Sequence, residues 1–215
     1  MPAVVNTFLA QVKPGGFERG LEMLRRAAKP LERAGGKNIR VFRGATGETY
    51  GSLLLVMEYA SMKDYGVAYD RIMKDDEVVS MIAASDAADS PYATQTIAVS
   101  NEIPIGTTPK PGPVLQVAIS RPVPGRFEDA VALGAKVGQV LGKTGASARL
   151  FQTGIGGLQS GTFALSMEFA NMAALGQATD AIMDGPEGQA LVAEVNGANS
   201  PVTMVSMDIF TEITL

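Results

Sequence analysis

The sequence predicts an α+β fold in which two tandem βαββαβ repeats pack sheet to sheet and close one pseudo-two-fold α/β barrel. Three observations predict it. The chain matches itself at a single offset of 110 positions, each copy runs through the same order of strand and helix signals, and nearly half the residues are apolar (46%), enough to fill a core on both sides of a sheet. Pro14-Gly15-x-Phe17-Glu18 aligns with Pro124-Gly125-x-Phe127-Glu128. Met57-Glu58-Tyr59-Ala60-Ser61-Met62 aligns with Met167-Glu168-Phe169-Ala170-Asn171-Met172, and Asp70, Ser90 and Glu102 meet Asp180, Ser200 and Glu212. Only the second strand slips by one residue, where Arg40-Val41-Phe42 matches Arg149-Leu150-Phe151, and Gly51 and Gly161 restore the offset. The repeats are expected at residues 1–104 and 113–215, joined by a Pro- and Gly-rich linker at 105–112.

Residues 4–12 and 114–121 read as first strands, and the Pro-Gly after each opens a helix. There Phe17, Leu21, Leu24, Ala28 and Leu31 recur at helical spacing, as do Phe127, Val131, Gly138 and Leu141. Gly35-Gly36 and Gly145 supply C-terminal stops. A strand around 39–43 or 149–153, a Gly-rich hairpin, and a strand at 53–59 or 163–169 follow. Ser61 and Asn171 suit the N-cap of a second helix, each copy then has a short extra helix, the second starting at Pro186, and a last strand covers about 92–102 or 202–212.

This order is the split βαβ, or ferredoxin-like, unit: one antiparallel sheet with its helices on one face. The bare face of each sheet must be covered, and two units in one chain can cover each other. On the strand-Pro-Gly-helix junction and the repeated Met57–Met62 and Met167–Met172 strand ends, the sequence resembles the dimeric α/β barrel superfamily in its fused form. It is similar to NIPSNAP-like and cofactor-free monooxygenase-like families. That resemblance implies a small-molecule-binding barrel, with a cofactor-independent oxygenase or isomerase as its enzymatic version. The alternative is a non-catalytic structural or assembly module with a fully packed barrel.

Missing residue types exclude much chemistry. The chain has no Cys and no His, so it has no disulfide, no thiolate nucleophile, no Ser–His–Asp or Cys–His mechanism and no histidine ligand for metal or haem. No metal and no cofactor are therefore expected. A net charge of −4 argues against nucleic acid. The first residues lack a charged n-region, and Asn6, Gln11 and Lys13 break their apolar run, so no signal peptide or membrane span is expected and a cytoplasmic location follows by default.

Strand alternation locates the candidate site. Leu53, Leu55, Met57 and Tyr59, with Phe163, Leu165, Met167 and Phe169, belong under the helices, which sends Glu58 and Glu168 to the opposite face. Asn6, Gln116, Thr94, Thr96, Ser206 and Asp208 are assigned to the barrel interior by the same logic, with Arg40 and Arg149 as counter-charges. The functional reading is a cavity whose weak catalytic candidates are Asp208, Glu168 and Glu58, a partly buried carboxylate serving as general base, with Asn6, Gln116, Arg40, Arg149 and Ser206 binding the ligand. The bland reading is that both Glu residues are satisfied by the arginines and backbone N–H groups. Asp208 is the sharper candidate because the first copy has Ala98 in its place. Leu54, Val56, Phe8 and Phe210 would close the barrel, whereas Ala98, Ala118, Ala164 and Ser166 would open it.

Two apparent motifs fail on context. Gly142-Lys143-Thr144 ends a helix instead of joining strand to helix, and Gly154-Ile155-Gly156-Gly157 sits between strands as a hairpin. Met57, Met73, Met167 and Met183 are assigned to core filling. Assembly is predicted from charge: residues 1–110 hold 13 basic and 13 acidic side chains, residues 111–215 only 5 and 9. Glu22, Arg25, Lys63, Asp64 and Arg71 become Ala132, Ala135, Ala173, Ala174 and Ala181, and Gly134, Gly138 and Gly142 form a small-residue row. A homodimer through these second-copy helices is expected.

Overall fold

Strand signals, Pro-Gly junctions and capping residues all take effect where the sequence places them in the computed structural model, which describes residues 3–215. The first half runs β1 (Val4–Val12), α1 (Phe17–Ala34), β2 (Lys37–Gly44), β3 (Leu53–Tyr59), α2 (Met62–Ile72), α3 (Asp76–Asp86) and β4 (Tyr92–Ile103). The second repeats that order as β5 (Val114–Pro122), α4 (Phe127–Gly142), β6 (Ser147–Ile155), β7 (Phe163–Phe169), α5 (Met172–Asp184), α6 (Pro186–Asn196) and β8 (Val202–Ile213). Ser61 Oγ accepts the Asp64 N–H at 3.1 Å and Asn171 Oδ1 accepts the Ala174 N–H at 2.8 Å, so both predicted N-caps satisfy an otherwise orphaned donor. α1 stops at Gly35, whose φ of 124° few side chains tolerate.

The eight strands close in the order β1-β3-β2-β8-β5-β7-β6-β4, every neighbouring pair antiparallel. Closure removes the outer edges that two separate four-stranded sheets would leave. The halves join at two seams, β2 with β8 and β6 with β4, and each seam uses only the C-terminal part of β8 or β4. Residues 93–97 and 203–207 are paired on one side only, by β1 and β5, and expose Ile97, Met204, Val205 and Met207.

Closure divides the core into three. Leu21, Leu24 and Leu31 of α1 bury against Val4, Ala10, Leu53, Leu55, Met57 and Tyr59. In the second half Ala130 and Leu141 of α4 lie with Val114, Ala118, Leu150, Phe163, Met167 and Phe169. Inside the barrel, Phe42, Leu54, Leu115 and Phe210 from both halves meet, with Leu9, Val56 and Val117 against them. Burying each large apolar side chain contributes about 2 kcal/mol, so this third cluster is the main apolar force holding the halves together. The segment before β5 is also fixed: Ile105 is buried, Thr107 Oγ1 donates to the Ala148 carbonyl at 2.5 Å, and the Lys110 N–H donates to Ser147 Oγ at 3.1 Å.

Several expected placements are corrected by the register. Asn6 is opposite Met57 and Val99, and Gln116 opposite Met167 and Ile209, so both face the helices and not the lumen. Phe8 and Ala118 lie on that side too, and Leu9 takes the lumen place expected of Phe8. Met57 and Met167 fill the core, but Met73 and Met183 are exposed at the ends of α2 and α5. Two glycines of the α4 row, Gly134 and Gly138, face the chain's own core, while Gly142 has open space. A Cβ on Gly134 would meet Leu150, and one on Gly138 would meet Thr107 and Ile105, so these glycines let α4 settle closely on its own sheet and linker.

Candidate functional site

Cross-strand partners share a face, so the ladder places the lumen wall residue by residue. One row crosses the first half as Ala98–Thr7–Val56–Arg40, and its counterpart crosses the second as Asp208–Val117–Ser166–Arg149. Adjacent strands are about 4.8 Å apart, which makes each row a band roughly 14 Å long around the waist of the barrel. Thr94, Thr96 and Ser206 also face the lumen, nearer its mouth.

Both arginines end their rows in ion pairs that cross between the halves. Arg40 Nη1 donates to Glu168 Oε2 at 2.7 Å, its Nε to Glu212 Oε1 at 2.8 Å, and Nη2 to the Gly112 carbonyl at 2.6 Å. The Gly112 N–H in turn donates to Glu168 Oε2 at 2.8 Å. Arg149 donates to Glu58 Oε1 and, at 2.8 Å, to Glu102 Oε1, while Glu58 also accepts from Asn38 Nδ2 at 2.8 Å and Glu102 from the Ala3 N–H at 2.9 Å. Each guanidinium additionally lies over a ring of its own strand, Arg40 on Phe42 at 4.7 Å and Arg149 on Phe151 at 4.9 Å. Burial opposes the charge on both arginines, but hydrogen bonds to their two carboxylates outweigh it and hold both pKa values above the ordinary one. For Glu102, burial acts upward, and the Arg149 and Ala3 hydrogen bonds prevail to hold its carboxyl below the usual range. Two such triads close the end of the barrel at which β1 and β5 begin. Glu58 and Glu168 are thus engaged by the two arginines, each by the one from the opposite half.

Asp208 differs from those four carboxylates. It is buried, lies on the lumen wall, and has no ion-pair partner among the described residues. One oxygen, Oδ1, lies 3.0 Å from Thr49 Oγ1, whose single proton is shared with the Thr46 carbonyl, also at 3.0 Å. Thr49 belongs to the β2–β3 hairpin, which leans on β8 through Ala45 N–H to the Ile209 carbonyl at 2.7 Å and Ile209 N–H to Thr46 Oγ1 at 3.0 Å. A carboxylate so held keeps its other oxygen available to a donor in the lumen. The helix-side polar residues are engaged locally: Asn6 Nδ2 donates to the Ala98 carbonyl at 3.1 Å, and Gln116 Nε2 is 3.2 Å from Met207 Sδ.

Lumen access follows from partial exposure. Thr7, Leu9, Val56, Val117, Ala164 and Ser166 all point inward from strands paired on both sides, yet none is fully buried. These inward positions are thus only partly covered by the opposite wall. Two cavities on the outside of the molecule, of about 380 and 390 Å³, are lined by α1 with Glu77 and by the β2–β8 seam with the C-terminal residues. Sequence reasoning missed Thr7, Val117 and Thr49. The even, helix-facing positions of β1 would have indicated Thr7 had Asn6 not been read as inward, whereas no sequence signal links Thr49 to Asp208.

No protein-family model matches the chain, and no curated protein matches it in sequence. Solved structures do match it along nearly their whole length. A candidate monooxygenase from Lactobacillus acidophilus NCFM is 11% identical with a TM-score of 0.60, covering 99% of this chain and 94% of that one. An anthrone oxidase-like protein is 12% identical with a TM-score of 0.62, covering 99% and 92%. The fold is the dimeric α/β barrel, fused into one chain. A mutant chlorite dismutase from Candidatus Nitrospira defluvii shares it at 11% identity and a TM-score of 0.55, covering 98% and 92%. At such identities the likeness is one of fold, and the site has to be judged on this chain's own residues.

Proposed function

We propose that the protein binds a small, mainly apolar molecule in the barrel lumen and orients it through Asp208. The observation that carries this reading is the retained exposure of Thr7, Val56, Val117, Ala164 and Ser166, inward-facing residues on strands paired on both sides, beside a lumen carboxylate free of ion pairing. Small side chains at Ala164, Ser166 and Ala98 leave the room, and Thr7, Ser166 and Asp208 supply a few polar groups, the usual make-up of a ligand site. In an enzymatic version Asp208 would take a proton from the bound molecule, the step an isomerase or cofactor-independent oxygenase needs first. A haem bound through His or Cys does not fit, since the chain has neither residue.

A thermal-shift screen of small aromatic and acyl compounds tests the reading. A ligand at 100 times its Kd stabilises by about 2.7 kcal/mol, a rise of several degrees. Ser166→Phe, which fills the lumen, and Asp208→Asn should each abolish that rise. An undiminished rise in both variants rejects the lumen as the site. The apolar plug of Phe42, Leu54, Leu115 and Phe210 favours a second reading, a barrel whose interior serves only to join its halves. Absence of any ligand shift, with Ser166→Phe less stable than wild type because it overpacks a filled interior, would decide for it. The protein is further proposed to form a homodimer through α4 and α5, on whose surfaces Ala132, Ala173 and Ala181 are exposed while Ala135 and Ala174 are half-buried.

A further inference from the structure

The first half carries a charge arrangement that the second half has neutralised. On α1, Glu22, Arg25, Arg26, Lys29 and Arg33 recur at spacings of three and four residues and so share one face. With Pro30 and Glu77 they line an open cavity of about 380 Å³ between α1 and α3. Arg33 is engaged by Asp75 at 3.3 Å and Glu77 at 3.7 Å. Arg25, Arg26 and Lys29 have no ion-pair partner among the described residues.

The corresponding face of α4 shows what a balanced version looks like. Arg25 and Lys29 are replaced by Ala135 and Gln139. Lys136, in the place of Arg26, is paired with Glu194 of α6 at 2.8 Å, and Lys143, in the place of Arg33, with Glu187 at 2.6 Å. The second pair survives in the first half as Arg33 with Glu77. The first does not, because Ala84 stands on α3 where Glu194 stands on α6. The α1 cavity therefore gathers four cations against two carboxylates, within a chain whose net charge is negative. Unopposed cations a turn apart repel one another, and a multivalent anion relieves that repulsion better than water does.

We propose that the α1–α3 cavity is a binding site for a small anion carrying adjacent phosphate groups, held by Arg25, Arg26 and Lys29. Its volume suits a small molecule, and two neighbouring guanidinium groups with one ammonium suit bidentate contacts to adjacent phosphates. The site lies outside the barrel and is independent of the lumen reading.

Isothermal titration of the full chain with inorganic pyrophosphate tests it. One-site binding is expected at low ionic strength, weakening by roughly tenfold or more at high salt because the cavity is open to solvent. Ala84→Glu restores the missing counter-ion at a surface position. It should weaken binding as the Arg25→Ala, Arg26→Ala, Lys29→Ala triple variant does, while Lys136→Ala in the second half should leave it unchanged. No binding at low salt, equal binding of sulfate, or binding indifferent to Ala84→Glu and to the triple variant would each overturn the site.

Discussion

Two phenols illustrate how single residues register the double-sided core. Tyr59 and Tyr92 are 3% and 5% exposed, Tyr59 OH lies 3.1 Å from Met57 Sδ, and Tyr92 OH donates to the Gly20 carbonyl at 2.7 Å. Burial pushes both up to about 12, with the neighbouring Tyr65 adding to the effect at Tyr59. An unfolded tyrosine ionises near pH 10, so between about pH 10 and 12 the folded chain holds protons that the unfolded chain has released. Stability is then full below pH 10 and falls as pH rises through that window. Each pKa unit corresponds to about 1.4 kcal/mol, so the two residues together remove on the order of 5 kcal/mol by pH 12. Urea denaturation followed from pH 9 upward should show this alkaline loss in wild type and a much flatter limb in Tyr59→Phe, Tyr92→Phe. Equal slopes for the two proteins would mean that other groups drive alkaline unfolding.

At the scale of strands and hairpins, the two halves differ where the sequence match slips. Gly44, at the end of β2, has no room for a side chain, because a Cβ would overlap the Thr49 carbonyl and approach Ser52 Oγ. Its counterpart Thr153 sits in a hairpin one residue longer and uses its hydroxyl, which lies 3.2 Å from Ser100 Oγ and 3.4 Å from Thr162 Oγ1. Gly44→Ala should cost roughly 3 kcal/mol or more in chemical denaturation, against about 1 kcal/mol for Thr153→Ala. A Gly44→Ala protein as stable as wild type would show that the hairpin relaxes freely. The same elements show what the sequence could reveal. β7 alternates Phe163, Leu165, Met167 and Phe169 against Ala164, Ser166 and Glu168, so its lumen face is legible, whereas β3 is apolar on both faces from Leu53 to Met57 and only Glu58 near its end marks the lumen side. β1 has Phe8 and Leu9 side by side because one faces helices and the other the barrel core, so alternation carries no signal there and cannot place Asn6. Arg40 and Arg149 are legible in the sequence as counter-charges, but which carboxylate each one meets depends on seams whose register is set by tertiary closure. Asp208 stood out only because the duplication offers Ala98 for comparison; the Thr49 hydroxyl that holds it had no such contrast.

For the molecule as a whole, closure of the barrel uses up the inner sheet faces, so any further assembly must use helices or the one-sided strand segments. The second half has lost charge on its helices without gaining contacts there, since Ala132, Ala173 and Ala181 remain exposed. Ala135 and Ala174 pack partly into their own core, so charging them would destabilise the subunit and confuse the result. Ala132→Glu with Ala173→Glu is the cleaner test of the proposed α4–α5 homodimer. Across a two-fold axis each added carboxylate enters the contact twice, and burying like charges without partners costs several kcal/mol, enough to dissociate an interface of the usual 800 Å² or so per subunit. Sedimentation equilibrium should give twice the 22.4 kDa chain mass for wild type and the single mass for the double variant. Lys63→Glu, at the first-half position matching Ala173, should leave the dimer intact. A wild type that sediments as a monomer at high concentration would instead mean that these alanines serve only helix formation, in which Ala is the most favourable residue.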